Sequence, residues 1–260
     1  MHFRLVPALT LTLLVFPTLA SAALPACNAS SGANVPAVVE LYTSEGCDSC
    51  PPADRWFASL KDQATRGKVI PLAFHTDYWD YLGWKDRFAD PAFGTRHRES
   101  ASRGGAKVVY TPQVLFEGRE FQQWRRTSPE RLSASGSAKP ARADLRVTAA
   151  PAGVQQLQVN VAGKTLHGAR TAEAYIALFE NGLSSDVKAG ENKGVVLHHD
   201  FVVRRWLGPF AFNAGALALA QTIDLPADGV RAQSGIAVVA VDQRGTVLQA
   251  LALPLLECGG

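Results

Sequence analysis

The sequence has a single methionine and a small net charge, and it has no long apolar run after residue 22. Its one methionine is Met1, so no methionine-rich segment is present to help bind copper. The formal net charge is +3 at pH 7 over 260 residues, which gives no electrostatic argument for a nucleic-acid partner. No later stretch is apolar over the roughly 20 residues that span a bilayer. The composition is that of a globular protein, without internal repeats or low-complexity segments.

The first 22 residues have the pattern of a secretory signal peptide. Arg4 lies in a positive start, residues 5–19 form an apolar core, and residues 20–22 fit a small-residue cleavage site. A membrane anchor is less favoured, because the core is short and is interrupted by prolines. We expect cleavage near Ala22 and a secreted or periplasmic mature chain without a membrane span. An acylation box at residues 24–27 is a weaker alternative, because proline fits it poorly.

Cysteine is also scarce, with only four in the chain. Export would place them in an oxidising compartment, where disulfides persist. Cys27 and Cys258 lie near the two ends of the mature chain, and domain termini often lie close together. We therefore predict a structural disulfide between Cys27 and Cys258, with two free or intermolecularly paired thiols as the alternative. Cys47 and Cys50 form the one C-x-x-C motif, so a four-cysteine zinc site would need the terminal pair as well.

The C-x-x-C motif lies where a strand is predicted to end and a helix to begin. Residues 38–43 are mostly β-branched, apolar or aromatic, which is typical of a buried strand. Residues 51–60 begin with two prolines and carry apolar side chains on one helical face. The positive end of a helix dipole lowers the pKa of a nearby thiol. We therefore expect Cys47 to be the attacking sulfur and Cys50 to resolve the mixed disulfide.

A second predicted strand, at residues 68–74, leads into a loop rich in aromatic and acidic side chains. One interpretation is that this loop forms a substrate groove or relays protons for Cys50. The other is that its aromatic rings pack and its acids cap the next helix. A histidine at its start would also complete a copper or zinc site with the two cysteines. The accessory candidates in this loop are His75, Asp77, Tyr78, Trp79 and Asp80.

The pattern changes after a small, polar stretch at residues 133–143. Beyond it, short strands separated by turn signals are typical of an antiparallel sandwich. We interpret the polar loop at residues 182–194 as a solvated hairpin loop, with a contact to the first domain or to a partner as the alternative. The predicted division is a signal peptide at 1–22, an N-terminal arm at 23–37, a first domain at 38–140 and a second at 141–260.

The order of elements in the first domain resembles the thioredoxin fold. A strand, a C-x-x-C motif, a helix, a strand and a helix are followed by Thr111-Pro112 at the start of a predicted hairpin. The resemblance implies that Cys47 and Cys50 are the redox pair. It also implies that Pro112 is a cis-proline facing the dithiol and that Thr111 helps to position the substrate. The expected fold class is an α/β thioredoxin-like domain followed by an all-β antiparallel sandwich-like domain.

A closer resemblance covers nearly the whole mature chain. The chain resembles the domain of unknown function 1223 family of secreted bacterial proteins, which belongs to the thioredoxin-like superfamily and has a β-rich second half. The segments that carry this resemblance are residues 40–52, 75–80, 109–113 and 190–194, together with His198, Asp200 and Val203. The resemblance identifies a family and says almost nothing about a substrate.

These observations predict an exported thiol–disulfide oxidoreductase that needs no cofactor. Cys47 and Cys50 would exchange with a thiol or disulfide of a protein or small molecule, and a redox partner protein would set the direction. The main alternative is a metal-binding chaperone or adaptor that holds copper or zinc through the C-x-x-C motif and His75. A third possibility is that the Cys47–Cys50 pair is a fixed structural disulfide.

Overall fold

The computed structural model describes residues 26–167, 171–256 and 258. The predicted signal peptide lies outside these residues. The helices are α1 Pro51–Ala58, α2 Lys61–Thr65, α3 Pro91–Arg103 and α4 Pro129–Ser137. The strands before α4 are β1 Cys27–Ser30, β2 Ala37–Thr43, β3 Val69–His75, β4 Gln113–Phe116 and β5 Arg119–Glu120. The later strands are β6 Ala143–Gly153, β7 Gln156–Thr165, β8 Glu173–Glu180, β9 Leu183–Asp186, β10 Val196–His199, β11 Val202–Ala211, β12 Ala216–Asp224, β13 Ser234–Val241 and β14 Val247–Pro254.

The largest sheet has eight strands in the order β14-β13-β8-β11-β3-β2-β4-β5. The β2–β3 and β3–β11 pairs are parallel and the other pairs are antiparallel. The two halves of the chain join at β3 and β11, where Val202 pairs with Ala73. The Ala73 N–H also donates to the carbonyl oxygen of Phe201 at 2.8 Å. One hydrogen-bonded sheet therefore contains strands from both halves.

The predicted fold class is wrong, because one sheet contains strands from both halves of the chain. An α/β thioredoxin-like domain followed by an all-β antiparallel sandwich-like domain requires two sheets that end within their own halves. Instead, β2–β5 and β8, β11, β13 and β14 share a sheet, and strands far outnumber helices among the described residues. Local hydrophobic patterns identify strands but not their partners, so the sequence carried no signal for the β3–β11 pair. The domain boundary predicted at residue 140 stays a prediction.

A second sheet packs against the far half of the first. It is antiparallel, with the order β1-β6-β7-β12. Alternate residues of β8 point to opposite faces, as strand geometry requires. Ile176 and Leu178 join the apolar core under the second sheet, whereas Ala177 and Phe179 join the core under the helices. Strand β8 thus links the two cores of the molecule.

The core under the helices holds the start of α1 in place. Leu41 and Phe74 from β2 and β3 are fully buried there with Phe57 from α1 and Leu132 from α4. The first strand, β1, belongs to the N-terminal arm, and Cys27 within it is disulfide-bonded to Cys258. Within the described part of the chain, no helix has the length and apolar character needed to cross a membrane.

Candidate functional site

The structure places the C-x-x-C motif between the end of β2 and the start of α1. Cys47 and Cys50 are joined in a disulfide. The Cys47 N–H donates to the Ser44 carbonyl oxygen at 3.2 Å, and the Cys50 N–H donates to the Cys47 carbonyl oxygen at 3.2 Å. Cys50 is the capping residue of α1, with Pro51 in the first helical turn. The disulfide therefore lies at the positive end of the helix dipole.

Thr111 and Pro112 lie against the disulfide, 64 residues from Cys47 along the chain. The Thr111–Pro112 peptide bond is cis. The Thr111 carbonyl oxygen is 3.7 Å from the Cys47 sulfur, and Trp79 Nε1 donates to Thr111 Oγ1 at 2.7 Å. Of the accessory candidates, Trp79 is the one that fixes this contact. The structure thus brings together the predicted redox pair, the predicted positioning residues and one residue of the aromatic loop.

The disulfide is shielded from solvent, because Cys47 is 1% exposed and Cys50 is 0% exposed. On one side, Trp79 packs on the turn so closely that a Cβ added to Gly46 would lie 2.7 Å from its Cβ. On the other side lies the segment at residues 187–195, between β9 and β10. Asn192 Nδ2 donates to the carbonyl oxygens of Glu45 and Cys47, at 2.9 Å each.

The 187–195 segment makes a further contact with the motif. The Asp48 N–H donates to Glu191 Oε2 at 3.0 Å, and Gly190 packs near Trp84. Asn192 is buried, with 6% of its surface exposed. The interpretation of residues 182–194 as a solvated hairpin loop is therefore wrong for Asn192, and the alternative of a contact with the first domain holds. Sequence patterns did not favour this contact over a solvated loop, because 147 residues separate Asn192 from Glu45.

Five ionisable side chains are buried together beside the motif. His75 Nδ1 and Asp86 Oδ2 are 2.7 Å apart, and Asp86 also accepts from the Glu45 N–H at 2.9 Å. His199 lies between two further carboxylates, with Nε2 3.3 Å from Glu45 Oε1 and Nδ1 3.9 Å from Asp54 Oδ2. The His75 and His199 rings meet edge to face at 4.8 Å. The cluster takes residues from β3, β10, α1 and two loops.

Mutual charge pairing sets the ionisation of this cluster. Burial works to lower the pKa of His75, but the carboxylates of Asp86, Asp54 and Glu45 hold that pKa above its usual value. Burial works to raise the pKa of Asp86, but His75 and donated N–H groups hold it below its usual value. Burial raises the pKa of the Asp54 carboxyl. His75 and Asp86 are therefore held as an ion pair, while Asp54 binds a proton more readily than an exposed aspartate.

A metal site is not built from these side chains. The His75 nitrogen nearest a carboxylate, Nδ1, contacts Asp86, and the cysteine sulfurs are bonded to each other. Within residues 26–167, 171–256 and 258, no group of three or more histidine, cysteine, aspartate or glutamate side chains has an arrangement that could hold a metal ion.

The remaining accessory candidates support the loop itself. Tyr78 donates its hydroxyl proton to the Gly94 carbonyl oxygen at 2.9 Å, and Asp80 Oδ1 accepts from the Asp86 N–H at 3.2 Å. The Asp77 carbonyl oxygen accepts from the Asp80 N–H at 3.2 Å. Tyr78 and Asp80 therefore make packing and hydrogen-bonding contacts within the loop, whereas the next helix, α3, is capped by Asp90 and by neither of the predicted acids.

A protein-family model matches most of the chain, including the site. The family described as "Protein of unknown function (DUF1223)" matches residues 38–242. The chain belongs to the DUF1223 family. The matched DUF1223 region contains both the C-x-x-C motif and the 187–195 segment. No curated protein matches the chain.

Two solved structures resemble the chain over most of its length. Protein AGR_C_4864 from Agrobacterium tumefaciens is 28% identical, and the match covers 85% of this chain and 95% of that chain with a TM-score of 0.58. HBP35 of Porphyromonas gingivalis is 14% identical, and the match covers 88% of this chain and 78% of that chain with a TM-score of 0.65. At 14% identity, the second likeness concerns the fold alone.

The sequence indicated some of the site and missed the rest. Asp54 lies one helical turn after Cys50, so helical spacing was a signal for it. His199 follows His198 on a strand, and alternation places the one inside and the other at the surface, as observed. Nothing local pointed to Asp86 or Asn192, which reach the motif from distant loops.

Proposed function

We propose that the chain is an exported thiol–disulfide oxidoreductase whose Cys47–Cys50 disulfide accepts electrons from a dithiol. The observation that carries the proposal is the position of the Cys47 sulfur, before a helix start and 3.7 Å from the Thr111 carbonyl oxygen. The location predicted from residues 1–22, and a protein or small-molecule thiol as partner, belong to the same proposal.

The proposed exchange has two balanced steps. A substrate thiolate attacks the Cys47 sulfur, the Cys47–Cys50 bond breaks, and Cys50 leaves as a thiolate. A second thiolate of the substrate then attacks the substrate sulfur of the mixed disulfide, and Cys47 leaves as a thiolate. The substrate dithiol is oxidised by two electrons, and the two cysteines take up these electrons and two protons. The same steps in reverse oxidise the protein and reduce a substrate disulfide.

A movement of the 187–195 segment is part of the proposal, because Cys47 is 1% exposed. Three hydrogen bonds join this segment to the motif, two from Asn192 and one to Glu191. At about 1 kcal/mol net for each bond, their loss costs roughly 3 kcal/mol. An open form at that free energy is populated at somewhat under 1%, which is enough for slow exchange.

Asn192→Ala is expected to speed reduction of the Cys47–Cys50 disulfide by dithiothreitol about thirtyfold, because two of the hydrogen bonds that hold the closed form are lost, at about 1 kcal/mol each. The rate is measured by acid quenching, alkylation and mass spectrometry of the motif peptide. Lys193→Ala, which changes an exposed side chain of the same segment, is the matched control. An unchanged rate in Asn192→Ala, or an equal rise in the control, would contradict the gating step.

A redox titration tests the proposed function itself. The protein is equilibrated in glutathione redox buffers, quenched, alkylated and analysed by peptide mass spectrometry. The midpoint potential of Cys47–Cys50 is expected to lie above about −300 mV, in the range of proteins that exchange disulfides. The Cys27–Cys258 disulfide serves as an internal control and is expected to stay oxidised. A Cys47–Cys50 midpoint below about −300 mV would identify a fixed structural disulfide and end the proposal.

A further inference from the structure

A cavity of about 760 Å³ lies toward the beginning of β2, whereas the disulfide follows the end of β2. Strand β4 runs antiparallel to β2, with Gln113 opposite Tyr42 and Phe116 opposite Val39. The turn after β4 therefore lies at the beginning of β2, whereas the C-x-x-C motif follows the end of β2. The cavity is lined by α3, by this turn and by the turn between β13 and β14. It is a separate place on the molecule from the disulfide site.

Eight aromatic or aliphatic side chains line part of the cavity. The Tyr175 and Trp206 rings stack with centroids 5.0 Å apart and planes at 14°. Both rings line the cavity, and the Arg96 guanidinium also lies over the Trp206 ring. The other apolar lining side chains are Val38, Phe116, Phe121, Val239, Val241 and Val247, and the rest of the lining is charged, polar or glycine. A ligand that fits this interior needs an apolar body, and the volume is typical of small-molecule sites.

The carboxylates that line the cavity all have partners. Glu40 pairs with Arg96, and Glu117 pairs with Lys139. Glu120 accepts the hydroxyl proton of a tyrosine outside the cavity lining, at 2.5 Å. Glu40 and Glu117 are therefore neutralised by their cations, whereas Glu120 keeps its charge, because the tyrosine hydrogen bond holds the pKa of its carboxyl below the usual range.

Three lining arginines have no such partner. Arg103, Arg119 and Arg244 are exposed, and none makes an ion pair with another residue in the described ranges. Arg103 ends α3, Arg119 begins β5 and Arg244 lies in the turn between β13 and β14. The turn before β5 and the β13–β14 turn approach each other at Gly118 and Gly245. The three arginine side chains therefore give the entrance a net positive charge. An arginine without a carboxylate partner is suited to bind the carboxylate of a ligand.

Arg96 adds a fixed donor to the wall of the cavity. Its guanidinium lies 4.0 Å from the Trp206 ring centroid and 4.9 Å from that of Phe74. One of its nitrogens donates to Glu40, but Nε is buried and has no hydrogen-bond partner among the described residues. A buried donor without a partner is uncommon in folded proteins and is expected to be satisfied by a bound group.

We propose that this cavity binds a small amphipathic carboxylate. The apolar body of the ligand lies against Tyr175 and Trp206, and its carboxylate meets the cluster of Arg103, Arg119 and Arg244 at the entrance. The aromatic wall favours a body that contains rings over a simple chain. The proposal does not depend on the oxidoreductase function, because no residue of the disulfide site takes part.

Binding is tested by isothermal titration calorimetry on the full mature chain. The probes are 2-naphthoate, dodecanoate and the uncharged 2-naphthol. We expect 2-naphthoate to bind at least about tenfold more tightly than 2-naphthol, because only the acid pairs with the arginines. Stronger binding of dodecanoate than of 2-naphthoate would assign the cavity to chain-like rather than ring-containing acids. Equal binding of the acid and the uncharged probe, or no binding of any probe, would overturn the proposal.

Variants locate the binding and separate it from folding defects. Arg119→Gln/Arg244→Gln is expected to weaken 2-naphthoate binding at least about tenfold and to leave 2-naphthol unchanged. Thr246→Trp, a change at an exposed entrance residue, is expected to weaken both probes by obstruction. Arg66→Gln, at an exposed arginine far along the chain from the cavity lining, is the matched control and should bind normally. Normal 2-naphthoate binding by the double variant would overturn the assignment of the ligand charge.

Discussion

Cys47→Ser is expected to abolish thiol–disulfide exchange, and Cys50→Ser is expected to accumulate mixed disulfides with substrate thiols. Without the Cys47 sulfur, no atom beside the Thr111 carbonyl oxygen can form the mixed disulfide. Without Cys50, the mixed disulfide forms at Cys47 but has no internal thiol to resolve it. Insulin reduction in the presence of dithiothreitol measures the loss, and non-reducing electrophoresis with mass spectrometry detects the trapped species.

The terminal disulfide provides the control for this pair of variants. Cys27→Ala/Cys258→Ala keeps only the motif cysteines, and it should retain exchange at a temperature at which it remains folded. If exchange activity survives in both Cys47→Ser and Cys50→Ser, the C-x-x-C motif is not the site of exchange. If exchange is lost only in Cys27→Ala/Cys258→Ala, the terminal disulfide is the site of exchange.

Local sequence patterns were enough to predict the immediate surroundings of the motif. A buried strand, a glycine-containing turn and two prolines specify a disulfide at a helix start, because each signal acts over a few residues. The Thr111-Pro112 sequence pointed correctly to a segment near Cys47. The resemblance to the thioredoxin fold supplied that second prediction, since nothing in the spacing of residues 47 and 112 shows that they meet.

Long-range packing decided what the sequence could not predict. The partner of β3 is β11, and the side chain that holds the Cys47 turn belongs to Asn192. Both depend on which surfaces meet after the chain folds, and hydrophobic periodicity does not encode that choice. The same holds for the cavity, whose lining comes from α3 and from turns that are far apart in sequence. The functional hypotheses that depend on these contacts required the structure.

Residues from both halves of the chain surround the Cys47–Cys50 disulfide. The Cys47–Cys50 disulfide lies between β2 and α1 in the first half of the chain, whereas the 187–195 segment that contacts its turn, and His199, come from the second half. Because β3 and β11 share a sheet, a shift at the 187–195 segment does not require the halves to separate. In the proposed function, a substrate therefore reaches Cys47 through a local opening of this segment with a modest free-energy cost, rather than through a movement of domains.

Loss of the Cys27–Cys258 disulfide is expected to be the most destabilising of the cysteine changes. The bond joins residues 231 apart, and in the chain-entropy model its removal costs about 5 kcal/mol. That is a large part of the roughly 5–15 kcal/mol of a typical domain. Alanine is the suitable replacement, because Cys258 is buried and a serine hydroxyl there would add its own desolvation cost.

Urea unfolding at pH 7, followed by circular dichroism, measures the effect in Cys27→Ala/Cys258→Ala. The matched control is Cys47→Ala/Cys50→Ala, which opens a loop with a sequence separation of only 3. The same entropy model gives about 2 kcal/mol for so short a loop. A smaller loss in the terminal variant than in the motif variant would show that the ends are held by the pairing of β1 with β6 rather than by the disulfide. The expected order follows from loop length, because the native contacts around both bonds remain in place.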